Sequence, residues 1–231
     1  MKFHGFQKLT LLDFPGKTAA TLFTGGCNFR CPFCHNALLV TDVSAKDAIY
    51  DEEYILDFLK KREGLLDGVA VTGGEPLMHR EILEFIPKIR ELGFAVKIDT
   101  NGSYPDILRE ILQRKLADYV AMDIKNSPEK YSMTIGCESF DLTPVKCSVE
   151  YLKSGNIDYE FRTTAVKNFH SESDFVEIGQ WLKGTKAYFI QQYKDSGDVI
   201  DNSLEGFSPD EMKKILSVVQ PFLPVAALRG V

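Results

Sequence analysis

The sequence predicts an α/β protein built on a parallel sheet, and three observations predict it. Short apolar, β-branched runs alternate with longer segments of helical period from residue 18 to the C-terminus. The order is strictly strand then helix, as a parallel sheet covered by helices requires. No Pro- or Ser-rich linker, low-complexity tract or fixed-period repeat interrupts it. Residues 1–231 are therefore expected to form one domain, with a short N-terminal leader and a C-terminal closing helix.

Each element has its own justification. "TAATLFTGG" (18–26) is an apolar strand that runs into a cysteine-rich loop. "EEYILDFLKKR" (52–62) places Ile55, Leu56 and Leu59 on one helical face. "GVAVTGG" (68–74) is a short buried strand, and "REILEFIPKIRELG" (80–93) is a helix stopped by Gly93. "FAVKIDTNG" (94–102) is a strand closed by Asn-Gly turn chemistry. "YPDILREILQRKL" (104–116) and "DYVAMDIK" (118–125) repeat the helix–strand order. After a loop of roughly eighteen residues, 144–155 reads as helix and 158–166 as strand. The pair 173–184 and 186–193 follows in the same order. "SPDEMKKILSVVQPFL" (208–223) opens with a Ser N-cap and an acidic first turn, so it is the closing helix. Six strand–helix units are too few for a closed eight-stranded barrel. They leave an open, partial (β/α)6 barrel or a doubly wound sheet.

Composition excludes several function classes. Hydrophobic residues make up 44% and charged ones 26%, the balance of an ordinary globular chain. A net charge of −6 argues against nucleic acid or an anionic membrane surface as the main partner. No apolar run approaches the roughly 20 residues that span a bilayer. The segment "MKFHGFQKLTLLDF" has no signal-peptide pattern. Five cysteines, three of them within eight positions, do not form a disulfide framework. A cytoplasmic location and a metal-binding role for the cluster of thiols are the expectations.

In both candidate folds ligands bind beyond the carboxyl ends of the strands. "GGCNFRCPFC", "TGGEP", "DTNG", "DIK", "FRTTAVKN" and "QQYKDSG" all fall there. Cys27, Cys31 and Cys34 have the spacing C-x3-C-x2-C, with a chance expectation on the order of two in a thousand. Three thiolates in one loop suit either zinc or an iron–sulfur cluster. Zinc needs a fourth ligand, for which His35, Cys137 and Cys147 are candidates. A 4Fe–4S cluster held by three thiolates leaves one iron open to a substrate or cofactor.

With Phe33 before its last cysteine, the triplet resembles the signature of the radical S-adenosylmethionine (SAM) superfamily. "GGEP" (73–76) sits after the second strand, where that superfamily places a motif for the SAM amino group. "CHN" after the last cysteine, with "DTNG" (99–102) and "DIK" (123–125), resembles the glycyl-radical-enzyme activases. The leader through "CHN" is most similar to the activating components of anaerobic ribonucleoside-triphosphate reductase, although this chain is longer than the short members of that group. The resemblance covers residues 5 to 195 and is most specific near the cysteines.

The resemblance implies a partial barrel, one 4Fe–4S cluster and reductive cleavage of SAM. It further implies hydrogen removal from a glycine of a partner glycyl radical enzyme, anaerobic ribonucleoside-triphosphate reductase. Cys27, Cys31 and Cys34 would hold three irons, and SAM the fourth. Backbone carbonyls around Gly73 and Gly74, which lack side chains, can approach the SAM ammonium. Glu75 either adds a carboxylate there or caps the helix that follows Pro76. Asp99 resembles the family's amino-group contact, Asp123 a ribose acceptor and Lys125 a partner of the SAM carboxylate. Asp123 and Lys125 stand two apart on a strand and share a face. Asn101 is either a ligand of SAM or a turn residue. Arg162, facing inward with Glu160 and Thr164, either clamps a carboxylate or forms a structural ion pair. Phe33 is placed near the adenine. His35 and Asn36 fit the family pattern as packing or hydrogen-bonding residues.

Some activases carry a His after the sixth strand as a ribose contact. Here "QQYKDSG" offers Tyr193 or Lys194 instead. Others insert extra clusters after the first motif. Residues 37–51 contain no cysteine and leave room for a short loop, so the electron is expected from flavodoxin or ferredoxin. Cys137 has no metal-ligand spacing, and Cys147 is expected as a buried small hydrophobe. His4, His79 and His170 are expected to face solvent or cap helices. The alternatives are a pyruvate formate-lyase-type activase, a radical SAM enzyme with a small-molecule substrate, or a noncatalytic zinc or iron–sulfur module. The loops after residues 25, 125 and 193 are the expected partner contacts.

Overall fold

The structure, a computed structural model, describes residues 1–42, 49–195 and 197–231. Its strands are β1 (Lys2–Phe3), β2 (Gly5–Thr10), β3 (Ala19–Thr24), β4 (Tyr50–Asp51), β5 (Gly68–Gly73), β6 (Ala95–Thr100), β7 (Tyr119–Asp123), β8 (Asp158–Ala165), β9 (Tyr188–Gln192) and β10 (Ala226–Arg229). The helices are α1 (Ala37–Thr41), α2 (Glu52–Lys60), α3 (Ile82–Glu91), α4 (Pro105–Gln113), α5 (Tyr131–Thr134), α6 (Thr143–Ser154), α7 (Glu172–Trp181) and α8 (Pro209–Val219). Several helix starts are written in the sequence. Asp51 caps α2 by accepting from Tyr54 N at 2.9 Å, and Ser208 forms a capping box with Glu211 on α8.

One eight-stranded sheet runs in the order β10-β9-β8-β7-β6-β5-β3-β2. From β3 to β10 every pairing is parallel, while β2 joins β3 antiparallel. Spatial order follows chain order and never reverses, so there is no switch point of the doubly wound type. The sheet is that of a partial barrel. Parallel neighbours joined through helices require crossovers, for which the right-handed sense that puts the helices on one face is the general rule. That face carries the apolar residues Leu22, Val69, Val71, Val96, Ile98, Val120 and Phe161, all fully buried in one hydrophobic core. The opposite, lumen-side face carries Lys97, Asp99, Asp123, Glu160, Arg162 and Thr164, at alternate positions along β6, β7 and β8.

All six expected strands are present, as β3 and β5 to β9. Four strands are not expected from the sequence: β1 and β4, which pair antiparallel with each other, and β2 and β10 at the edges of the large sheet. The leader forms the edge strand β2, whose Gln7, Lys8 and Leu9 are exposed, so its sequence lacks a clean alternation. The closing helix α8 is not the last element, because the chain returns as β10 beside β9. The long loop after β7 holds α5. The short connection expected over 37–51 starts with α1, and its residues 43–48 lie outside the described residues, as does Ser196. Among the described residues no helix is long and apolar enough to cross a membrane.

Candidate active site

β3 delivers the cysteine loop to the carboxyl end of the sheet, and the neighbouring strand ends close around it. Cys34 N donates to Cys31 O at 3.0 Å, tightening the second half of the loop. Arg30 folds back, its Nη1 donating to Cys27 O at 2.6 Å and Phe29 O at 2.8 Å. The turn after α5 braces the loop from outside, through Arg30 N to Ile135 O at 2.8 Å and Cys137 Sγ to Asn28 O at 3.5 Å. No cysteine is bridged to another. Cys27, Cys31 and Cys34 line one cavity of about 210 Å³.

The two glycines of "GGEP" are required by backbone approach. A Cβ on Gly74 would stand 1.8 Å from Gly26 O, and Glu75 N donates to that same oxygen at 2.8 Å. Gly73 has φ +123°, and a Cβ there would stand 2.3 Å from Thr24 N. Asn36 Nδ2 donates to Gly73 O at 3.0 Å, so the residue after "CH" ties the cysteine loop to β5. Glu75 is 1% exposed. Its Oε1 accepts from Leu77 N at 3.0 Å and Thr100 Oγ1 at 2.8 Å, and its Oε2 from Asn101 N at 2.7 Å. It caps the turn at Pro76–Met78 and bolts the end of β5 to the end of β6. Burial pushes its carboxyl up to about 7, against the pull of these three donors.

Asn101 is more than a turn residue. Its Nδ2 reaches Cys27 Sγ at 3.7 Å and Asn28 Oδ1 at 3.0 Å, while its Oδ1 accepts from Ser103 N at 2.9 Å. Phe29 N also donates to Cys27 Sγ, at 3.3 Å. Two N–H groups thus point at one sulfur, an arrangement that tunes an iron-bound thiolate.

A chain of alternating charges crosses the lumen. Lys97 pairs with Asp99, Arg162 Nη1 lies 3.4 Å from Asp99 Oδ2, and Arg162 Nε donates to Asp123 Oδ1 at 3.0 Å. Lys125 Nζ donates to Asp123 Oδ2 at 2.9 Å. Burial alone would raise the Asp123 carboxyl, but Arg162 and Lys125 hold it well below the usual carboxylate range. Arg162 is thereby an ion-pair partner of two carboxylates, while its 4.0 Å contact with Glu160 is the long one. Glu160 instead takes the fork of Arg229 at 2.7 and 2.9 Å and the Tyr119 hydroxyl at 2.9 Å.

The twelve cluster and SAM candidates line this cavity: Cys27, Cys31, Phe33, Cys34, Gly73, Gly74, Glu75, Asp99, Asn101, Asp123, Lys125 and Arg162; Tyr193, Lys194, Cys137 and Cys147 do not. His35 also lines it, with its ring edge-on to Tyr193 at 5.7 Å. Phe33 packs against Phe169 at 5.8 Å. Two expectations, for His170 and Cys147, are corrected. His170 is neither solvent-facing nor a cap: it is 4% exposed, because its ring fills the space between the ends of β7 and β8 and stacks on Phe175 at 5.4 Å. His79 is a cap, as expected: it closes the turn at Pro76–Met78 with its N donating to Pro76 O at 3.2 Å, and its half-buried ring places Nε2 2.8 Å from Gly25 O. Cys147 is half-buried on α6 and not a core residue. Lys97 lies outside every motif, although its place two before Asp99 on a strand is the same signal that pairs Asp123 with Lys125. Nothing in the sequence points to His170 or to the Glu160–Arg229 pair, whose partners meet only across strands.

The donor set fits an iron–sulfur cluster. Burial pushes the Cys27 thiol up to about 11 and the Cys31 thiol up to about 12, so neither ionises at neutral pH without added positive charge. A bound iron core would supply that charge, and Lys125 already lowers both thiols. Among the described residues no three His, Cys, Asp or Glu side chains close on a single-ion position.

Comparison with known proteins agrees with this geometry. The radical SAM superfamily profile matches residues 21–182. The chain is 30% identical over 234 residues to a glycyl-radical enzyme activating enzyme, so named, of Methanocaldococcus jannaschii, covering 98% of this chain and 95% of that one. It is 33% identical over 128 residues to the pyruvate formate-lyase-activating enzyme of Clostridium pasteurianum, covering 54% and 52%. Among solved structures, a domain of a pyruvate-formate lyase-activating enzyme from Bacteroides vulgatus aligns with a TM-score of 0.57 at 14% identity, covering 71% of this chain and 99% of that one. SuiB of Streptococcus suis bound to SAM aligns at 0.67 and 13%, covering 91% of this chain and 52% of that one. This chain therefore spans about half of SuiB, and both alignments bear on the fold alone. With a profile match over most of its length and its motifs gathered at one strand-end cavity, the chain belongs to the radical SAM superfamily.

Proposed function

We propose that this protein is a radical SAM activase that generates a glycyl radical on a partner enzyme, with anaerobic ribonucleoside-triphosphate reductase as that partner. The observation that carries the reading is the meeting of three unbridged thiols with the GGEP, DTNG and DIK residues at one cavity. The full-length relation to the M. jannaschii protein supports it. With a reduced 4Fe–4S cluster bound, the site would supply one electron to split SAM into methionine and a 5′-deoxyadenosyl radical, which takes a hydrogen atom from glycine. Cys27, Cys31 and Cys34 would hold the cluster. The Gly73 and Gly74 backbone, with Glu75 holding its shape, and Asp99 receive the ammonium. Lys125 meets the carboxylate, and Asp123 accepts from the ribose. Arg162 holds Asp99 and Asp123 in place and keeps Asp123 ionised. Asn101 binds SAM at the strand end and steadies Cys27, and Phe33 flanks the adenine. Flavodoxin or ferredoxin supplies the electron.

The test is anaerobic. The protein is loaded with iron and sulfide, reduced, given SAM and mixed with anaerobic ribonucleoside-triphosphate reductase. A glycyl-radical EPR doublet on the reductase, accompanied by 5′-deoxyadenosine, is the expected result. A doublet on pyruvate formate-lyase alone, the partner favoured by the C. pasteurianum similarity, would reassign the partner. No doublet on either would contradict the activase reading.

A further inference from the structure

Lys125 lies beyond the end of β7, which stops at Asp123. Ile124 is still held by β8, its N donating to Arg162 O at 2.7 Å and its O accepting from Thr163 Oγ1 at 2.8 Å. One residue later a buried imidazole takes over: His170 Nε2 lies 2.9 Å from Lys125 O. A carbonyl has no hydrogen to give, so Nε2 carries the proton and donates. Nδ1 lies 3.2 Å from both Val166 N and Val166 O, and in the neutral ring with Nε2 protonated it accepts from Val166 N. Burial lowers the ring's affinity for a second proton, consistent with that tautomer.

The same turn reaches the cysteine loop. Phe169 packs on Phe33, and Asn126 Nδ2 donates to Phe169 O at 3.0 Å and to Thr134 Oγ1 at 2.8 Å. The segment after β7 is thereby fastened to the segment after β8 by side chains where strand pairing has ended.

We propose that His170 is the positioning residue of Lys125, fixing the backbone from which its ammonium enters the SAM site. The proposal rests on the reading of Lys125 as partner of the SAM carboxylate. His170 does not line the cavity. It acts by holding one carbonyl.

Two substitutions separate its two hydrogen bonds. In His170→Gln the terminal amide stands near the place of Nε2 and keeps an N–H for Lys125 O. In His170→Asn the shorter amide stands near Nδ1, serves Val166 N and leaves Lys125 O without its donor. Equilibrium binding of SAM to the iron–sulfur-loaded, unreduced protein is measured beside amide exchange over residues 124–127, with Lys125→Met as control. His170→Gln is expected to bind SAM within about twofold of wild type, and His170→Asn about tenfold more weakly, the size of one lost hydrogen bond. Exchange at 124–127 should quicken in His170→Asn alone, at similar melting temperatures. Equal binding by the two variants, with Lys125→Met impaired, would overturn the proposal. Wild-type binding by Lys125→Met would instead remove the Lys125 assignment beneath it. Equal loss in both variants together with early melting would make His170 a fold residue only.

Discussion

Glu75 holds three donors on two oxygens at 1% exposure, which makes it sensitive to the smallest chemical change. In Glu75→Gln one oxygen becomes an NH2 group. Whichever way the amide turns, the N–H of Leu77 or of Asn101 loses its acceptor, costing about 1–3 kcal/mol. The loss should be largest near pH 5. The native carboxyl, pushed up to about 7 in the folded state, binds its proton more tightly there than in the unfolded chain. Its contribution is complete below the unfolded value of 4.5 and declines as pH rises through 7. Chemical denaturation of both proteins at pH 5 and pH 8 checks this: the gap should narrow toward pH 8. A gap that widens would mean that the donors outweigh burial. The two halves of the motif thus have separate work, since Glu75 joins strand ends while the glycines admit backbone.

At the scale of elements, the cysteine loop and the β5 turn are one unit. The Glu75 N to Gly26 O bond and the 1.8 Å separation from a hypothetical Cβ on Gly74 leave no space between them. Gly74→Ala is expected to destabilise the unloaded protein by about 2 kcal/mol or more and to lower its iron content after reconstitution. Gly184→Ala is the control, since Gly184 has φ +87° but no atom within 4 Å of a Cβ. It should cost only about 1 kcal/mol and leave iron loading unchanged. Equal iron loading in both variants would show that the loops are independent. The paired glycines were legible as a motif, but the sequence could not say what lies against them. Their neighbour is a carbonyl 48 positions earlier in the chain, brought close only because β3 and β5 pair in register from Ala19↔Gly68 to Thr24↔Gly73.

At the scale of the molecule, the polar lumen and the apolar outer face divide function from stability. Strand periodicity makes that division readable: Glu160, Arg162 and Thr164 were expected inward and face the lumen. The partner of each charge was not readable, because it depends on cross-strand register. Asp123 stands opposite Arg162, and Lys97 completes a chain that begins outside every recognised motif. The edges β2 and β10 were missed for a related reason. Short strands with one exposed side carry little pattern, and their identity comes from the neighbour they cover. His170 lies in a turn, where no period exists to betray it.

The central claim is that three thiols hold a cluster with one iron open to SAM. Its most direct test is 5′-deoxyadenosine formed by the anaerobically reconstituted, dithionite-reduced protein, measured beside Cys31→Ala treated identically. The account predicts SAM-dependent 5′-deoxyadenosine from the wild type and none from the variant. A wild-type protein shown spectroscopically to be fully loaded with 4Fe–4S that leaves SAM uncleaved would contradict it.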